Sequence, residues 1–178
     1  MVTNPSMLHG ILDNMATALV QYVKYQIRSG AQVMQIFDSW AHHLSPAQFE
    51  EFSMPYAQRV ISEVRAEYPN VPLIFHANGG VGKLAKMEGC TADVLGLDWN
   101  TDMAEAREVF PDRVLQGNVD PMVLFGSEEA IRDAVTKCCA DAGSRRHILN
   151  VGHGVVQQTP EDNVKLFVEL ARTFPVAA

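Results

Sequence analysis

The chain has 178 residues, enough for one domain with a real core; with 47% hydrophobic and 20% charged residues it reads as globular rather than disordered. The net charge of −7 argues against a nucleic-acid binder but leaves room for a local basic pocket. No apolar stretch approaches the roughly 20 residues that span a bilayer, the opening "MVTNPSMLHG" lacks signal-peptide form, and Cys90, Cys138 and Cys139 give no disulfide framework, which suits a reducing compartment.

Apolar positions at helical spacing begin at Leu8 and run through Ile11, Leu12, Met15, Leu19, Tyr22 and Val23 to Ile27. Asn4 and Pro5 are placed to start this helix and Gly30 to stop it. The run "QVMQIFD" (32–38) predicts a buried strand. Ser45 and Gln48 form a capping box that opens one long helical region to about Glu67, ended by Pro69. "VPLIFHA" (71–77) is the next strand, followed by "NGGVG" and a short helix to about Glu88. "ADVLGLDW" (92–99) is a strand, with a short helix from about Asp102 to Val109. "RVLQGNVD" (113–120) is the fourth strand. Ser127 caps a helix with Glu128 and Glu129 in its first turn, where acidic side chains suit the helix dipole. "RHILNVG" (146–152) is the fifth strand. Thr159-Pro160-Glu161-Asp162 opens a last helix with Val164, Phe167, Val168, Ala171 and Phe174 on its apolar face. Cys138 and Cys139 fall on a helix, where packing is their expected role.

Strict alternation of strand and helix implies parallel strands covered by helices. Two architectures fit: an open doubly wound sheet or a (β/α)8 TIM barrel, which typically needs about 250 residues. Every strand ends in polar or glycine residues: Asp38-Ser39, His76 to Gly80, Asp98-Trp99-Asn100, Gly117 to Asp120, and Gly152-His153-Gly154. A barrel gathers all such ends on one face, whereas a doubly wound sheet concentrates chemistry at a switch point. Five decorated ends favour a partial barrel. "NGGVG" reads as a turn, with an anion cradle as the competing reading.

The segments "GAQVMQIFDSWAHHLSPAQFEEFSMPY", "HANGGVGKL", "ADVLGLDWNTD", "RVLQGNVDP" and "ILNVGHGVVQQTPEDNV" together resemble uroporphyrinogen decarboxylase, in order and over nearly the whole chain. The resemblance is to the C-terminal half of the family sequence. It implies a single domain, 1–178, formed by about the last five β/α units of a TIM barrel, with the N-terminal part absent. It also implies a carboxy-lyase that removes carbon dioxide from the four acetate arms of uroporphyrinogen, giving coproporphyrinogen for haem and chlorophyll synthesis. The implied enzyme uses no metal or organic cofactor, is usually a homodimer, and works in the cytoplasm or the plastid stroma. The family's arginine-rich motif, catalytic aspartate and substrate-contacting tyrosine belong to the half not present, so this polypeptide alone is expected to be inactive and to contribute no catalytic residue.

Two substrate-binding positions carry over: Ser39 in "FDSWA", whose hydroxyl would contact the substrate, and His153 in "GHG", which would hydrogen-bond a substrate carboxylate. An imidazole donates one hydrogen bond when neutral and two when protonated. Flanking glycines would let the backbone come close. Asp38, which precedes Ser39, reads as a residue supporting the site from behind rather than a catalytic one, Asp98 and Asp120 as carboxylates that fix loops, and His42 and His43 as loop and surface residues. Two alternatives stand beside the decarboxylase. A zinc-dependent corrinoid or thiol methyltransferase of the same superfamily would carry His-x-Cys at the strand end of His76, but here the third residue is Asn78, which offers no thiolate. The other is a non-catalytic truncated chain, whose open half-barrel would expose unpaired strand edges.

Overall fold

A computed structural model describes residues 1–143 and 145–174. Its centre is a five-stranded sheet in the order β1-β2-β3-β4-β5, with every neighbouring pair parallel. The strands are β1 (Met34–Asp38), β2 (Leu73–Ala77), β3 (Val94–Leu97), β4 (Val114–Val119) and β5 (His147–Val151), each inside its predicted segment. A strictly sequential order contains no switch point, so the doubly wound alternative is out. The sheet is also curled. Gln116 on β4 donates to the side-chain carbonyl of Gln35 on β1 at 3.1 Å, yet three strand spacings in a flat sheet would hold those backbones about 14 Å apart. The five strands are consecutive staves of a partial (β/α) barrel.

Helices cover the convex side. They are α1 (Pro5–Arg28), α2 (Pro46–Phe52), α3 (Met54–Glu67), α4 (Met103–Val109), α5 (Glu128–Ala142) and α6 (Glu161–Thr173). Leu73, Phe75, Leu95 and Leu115 are completely buried in the core shared with them. Burying each such side chain is worth about 1.5–3 kcal/mol. Because side chains alternate along a strand, the intervening positions, among them Gln35, His76 and Gln116, line the concave side.

The predicted caps form. The Asn4 side chain accepts from Met7 N–H at 3.0 Å, Ser45 and Gln48 complete their reciprocal box, and Ser127 accepts from Ala130 N–H at 3.3 Å. Several expectations change. The single helix from Ser45 to Glu67 is two helices broken at Ser53, whose hydroxyl turns away to Asp38; Pro55 then starts α3, where its missing N–H costs nothing. The short helix ending near Glu88 is only a 3-10 turn, Leu84–Met87. In α6, Pro160 takes the N-cap position without a side-chain bond. Leu170 is buried there, whereas Val168 is exposed. The largest departure is in α1. Its buried residues are Ala16, Val20 and Val23, while Ile11, Met15, Leu19 and Tyr22 lie on an exposed face. The sheet stops at β1, and none of the described residues covers that face.

The bottom of the sheet, at the strand N-termini, is tied by arginines. Arg107 donates to four carbonyls, those of Ala142, Phe110, Arg113 and Arg146, at 2.7–3.0 Å. Arg113 reaches the carbonyls of Cys90 and Ala92. Cys90, Cys138 and Cys139 are buried free thiols, the last two on α5. Burial pushes the Cys138 thiol up to about 11; its sulfur accepts from Asn118 N–H at 3.2 Å and donates to the Gly117 carbonyl at 3.3 Å, tying α5 to β4. No helix among the described residues is long and apolar enough to cross a membrane.

Candidate functional site at the concave face

The C-terminal strand ends are laced to one another. Asn78 N–H donates to the Asp38 carbonyl at 3.0 Å, and Gly152 N–H to the Val119 carbonyl at 2.8 Å. Below this rim lies a hollow of about 410 Å³ on the concave side. Ser39, from the end of β1, and His153, from the loop after β5, both line it, although 114 positions separate them in sequence. The curl of the sheet is what brings the two together.

Each is held by its surroundings. The carbonyl of Ser39 accepts from the Asn78 side-chain amide at 3.1 Å, which anchors the residue while its side chain stays exposed. His153 stands edge-on to the Trp99 ring, with centroids 5.4 Å apart. Gly152 makes that contact possible. A Cβ there would lie 2.2 Å from the Trp99 nitrogen and 2.7 Å from the Asp98 carbonyl carbon, both backbone atoms. Gly154 behaves differently from expectation: a Cβ would meet nothing within 4 Å, so only one of the two flanking glycines is needed for close approach.

Two of the strand-end aspartates, Asp98 and Asp120, fix loops, as their positions suggested. Asp98 is fully buried and takes Gly80 N–H at 3.1 Å and the Thr101 hydroxyl at 2.5 Å on one oxygen, while Oδ2 has no hydrogen-bond partner among the described residues. Asp120 caps the 3-10 turn Pro121–Phe125 by accepting from Met122 N–H at 2.9 Å. Asp38 faces the helix layer, where Ser53 donates to it, and lines the cleft between α1 and α3 instead of the hollow. The "NGGVG" loop closes on itself and on Asp98: Lys83 donates to the Gly79 carbonyl at 2.7 Å. It is a turn. His42 and His43 are exposed and stack with Trp40 on the rim.

Among the residues lining the hollow that the sequence did not single out as substrate contacts, His76 is the titratable one. It is only 8% exposed, packs edge-on to Phe37 with centroids 5.9 Å apart, and lies against Gly96 of β3. A Cβ at Gly96 would come within 3.0 Å of His76 Cβ and Nδ1, so β3 leaves space for the imidazole. Burial pushes the His76 pKa below the ordinary histidine value, against the opposing charge of Asp98. In sequence His76 is one polar residue in an apolar strand; the signal that could have found it is the glycine paired across the ladder, visible only once register is known. His76 and His153 share the hollow, but Asn78 supplies no thiolate. Among the described residues no three His, Cys, Asp or Glu side chains gather as a metal site.

The model of the uroporphyrinogen decarboxylase (URO-D) family matches residues 1–174. A uroporphyrinogen decarboxylase from Trichodesmium erythraeum is 47% identical over 169 residues, covering 94% of this chain and 48% of that protein. The chloroplastic uroporphyrinogen decarboxylase of Nicotiana tabacum is 47% identical over 169 residues, covering 94% of this chain and 43% of the relative. One from Prochlorococcus marinus is 45% identical over 170 residues, covering 95% and 48%. The chain spans about half the length of the curated relatives it matches.

Proposed function

The chain belongs to the uroporphyrinogen decarboxylase family, and on that premise we propose that its concave face is part of the pocket that holds an acidic tetrapyrrole for decarboxylation. The single observation that carries this reading is the meeting of Ser39 and His153 around one hollow. The Ser39 hydroxyl and a ring N–H of His153 donate to carboxylate arms of uroporphyrinogen, and Gln35, Gln116 and Asn150 add a polar floor. Fixed donors of this kind orient an arm before reaction. In the reaction the bond from the acetate methylene to its carboxyl carbon breaks. The electron pair passes into a pyrrole protonated beforehand, carbon dioxide leaves, a proton delivered to the methylene makes it a methyl group, and the ring gives up its added proton to restore the pyrrole. The acid groups for those two proton transfers come from the part of the family-length chain not spanned here. So do the arginines that neutralise the arms.

The same part supplies the strands that close the barrel. It joins at the free edges of β1 and β5 and over the exposed face of α1, where Ile11, Met15 and Tyr22 await cover. The complete protein is a homodimer of the cytoplasm or plastid stroma, a placement supported by the cyanobacterial and chloroplastic names of its relatives.

Coproporphyrin, a stable tetracarboxylate, is a suitable probe. The chain has two tryptophans. Trp40 follows Ser39 and Trp99 touches His153, so quenching of their emission reports binding at the hollow. Replacing Ser39 with Ala and His153 with Gln should each weaken binding by about tenfold, the worth of a hydrogen bond to a charged group. Wild-type affinity in both variants would refute the reading.

A further inference from the structure

The lining of the hollow among the described residues holds no lysine and no arginine, yet the ligand proposed for it carries several negative charges. Beyond the arms met by arginines of the rest of the family-length chain, a carboxylate held against this chain's own floor needs a positive partner from the lining as well as donors. Only two lining side chains can become cationic, His76 and His153. His153 is exposed and stays hydrated. His76 is almost completely buried on the floor, between the Phe37 ring and the gap left by Gly96.

We propose that His76 is a second histidine contact for a substrate carboxylate, and that it takes up one proton from solvent as that carboxylate binds. This rests on the tetrapyrrole reading of the hollow. Without ligand, burial disfavours the imidazolium of His76. An entering carboxylate supplies the missing counter-charge and inverts the balance. Two charged groups act on His76 from neighbouring elements. Asp98, at the end of β3, favours the imidazolium; His153, after β5, opposes it when protonated. Asp98 is well placed for a lasting effect, because Gly80 N–H and the Thr101 hydroxyl pin one oxygen and the carboxyl is fully buried. No bond is made or broken apart from the N–H of the new imidazolium.

The sign follows. The pKa of His76 is low in the free protein and raised in the complex, so affinity grows as pH falls between the two values and levels off outside them. One linked proton gives at most tenfold per pH unit. The test measures coproporphyrin binding from pH 6 to 8 in the wild type, His76→Gln and His153→Gln, with the uncharged coproporphyrin tetramethyl ester as control. The expected result is a several-fold loss of wild-type affinity per pH unit, a nearly flat profile for His76→Gln, a retained slope for His153→Gln, and no slope for the ester. In parallel, NMR titration of the His76 ring in the wild type should show its pKa rising on saturation, a readout that does not depend on the variant folding. A wild-type slope in His76→Gln, or a His76 ring that stays neutral in the complex, overturns the proposal while leaving the tetrapyrrole site intact. Absence of coproporphyrin binding at every pH removes both.

Discussion

Replacing Gly152 with alanine tests how the rim of the hollow is built. The added methyl would sit 2.2 Å from the Trp99 nitrogen and 2.7 Å from Trp99 Cα. Ordinary contact begins near 3.4 Å, and the opposing atoms are backbone, so they cannot swing aside as a side chain would. The loop after β5 must therefore retreat by roughly 1 Å, or the end of β3 must move, in an interior packed too densely to absorb the shift. Overpacking of this kind costs about 1–3 kcal/mol, and rigid opposing atoms put Gly152→Ala at about 3 kcal/mol. The same displacement carries His153 away from Trp99 and out of register with Ser39, and it should weaken coproporphyrin binding at least tenfold, the value of one charged hydrogen bond. Gly154→Ala is the matched control, because its methyl enters open space. Urea unfolding and tryptophan quenching on both variants give the comparison. If Gly152→Ala matches Gly154→Ala in stability and in affinity, the close β3–β5 contact does not position His153.

Three more outcomes can be checked. Arg107→Ala leaves four carbonyls at the bottom of the sheet without their shared donor and should lower stability by about 2–4 kcal/mol; denaturant unfolding unchanged within error would show that water replaces the arginine at no cost. Burial lowers the pKa values of both His76 and His147, the latter against its hydrogen bond to the Gly117 carbonyl. The unfolded chain therefore binds protons first: the stability due to these groups is complete above the unfolded value of about 6.5 and is lost as pH falls toward their folded values. The melting temperature should drop on acidification through that window and drop less in His147→Gln; a melting temperature that rises on acidification would contradict the burial argument. The purified 178-residue chain should self-associate through its free sheet edges at β1 and β5 and the uncovered α1 face, and should form no coproporphyrinogen. Light scattering after size exclusion and a product assay decide this, and measured product would show that the hollow needs no further groups.

Much of this architecture was legible in the chain itself. Each apolar run that ended in a polar cluster became a strand, because a buried parallel strand is apolar along its length and its C-terminal end must turn through loop residues. The capping residues Asn4, Ser45 and Ser127 stood where side-chain oxygens can satisfy free N–H groups, and that chemistry is local. What failed was non-local. The break at Ser53 depends on Asp38, 15 residues away. The exposed face of α1 carries an ordinary helical pattern, and its cover is not among the described residues. Ser39 and His153 came from a motif resemblance, and their meeting follows from the curl of the sheet. His76 needed the register of β2 on β3 before its pairing with Gly96 meant anything. Gly154 looked equivalent to Gly152 because spacing alone says nothing of what lies opposite.

The claim that the concave face takes an acidic tetrapyrrole is tested most directly by a crystal structure of the chain with coproporphyrin bound. The macrocycle should lie in the hollow between β1 and β5, with carboxylates on the Ser39 hydroxyl and the His153 ring. A macrocycle seated instead in the cleft between α1 and α3, against Leu12 and Phe52, would contradict it.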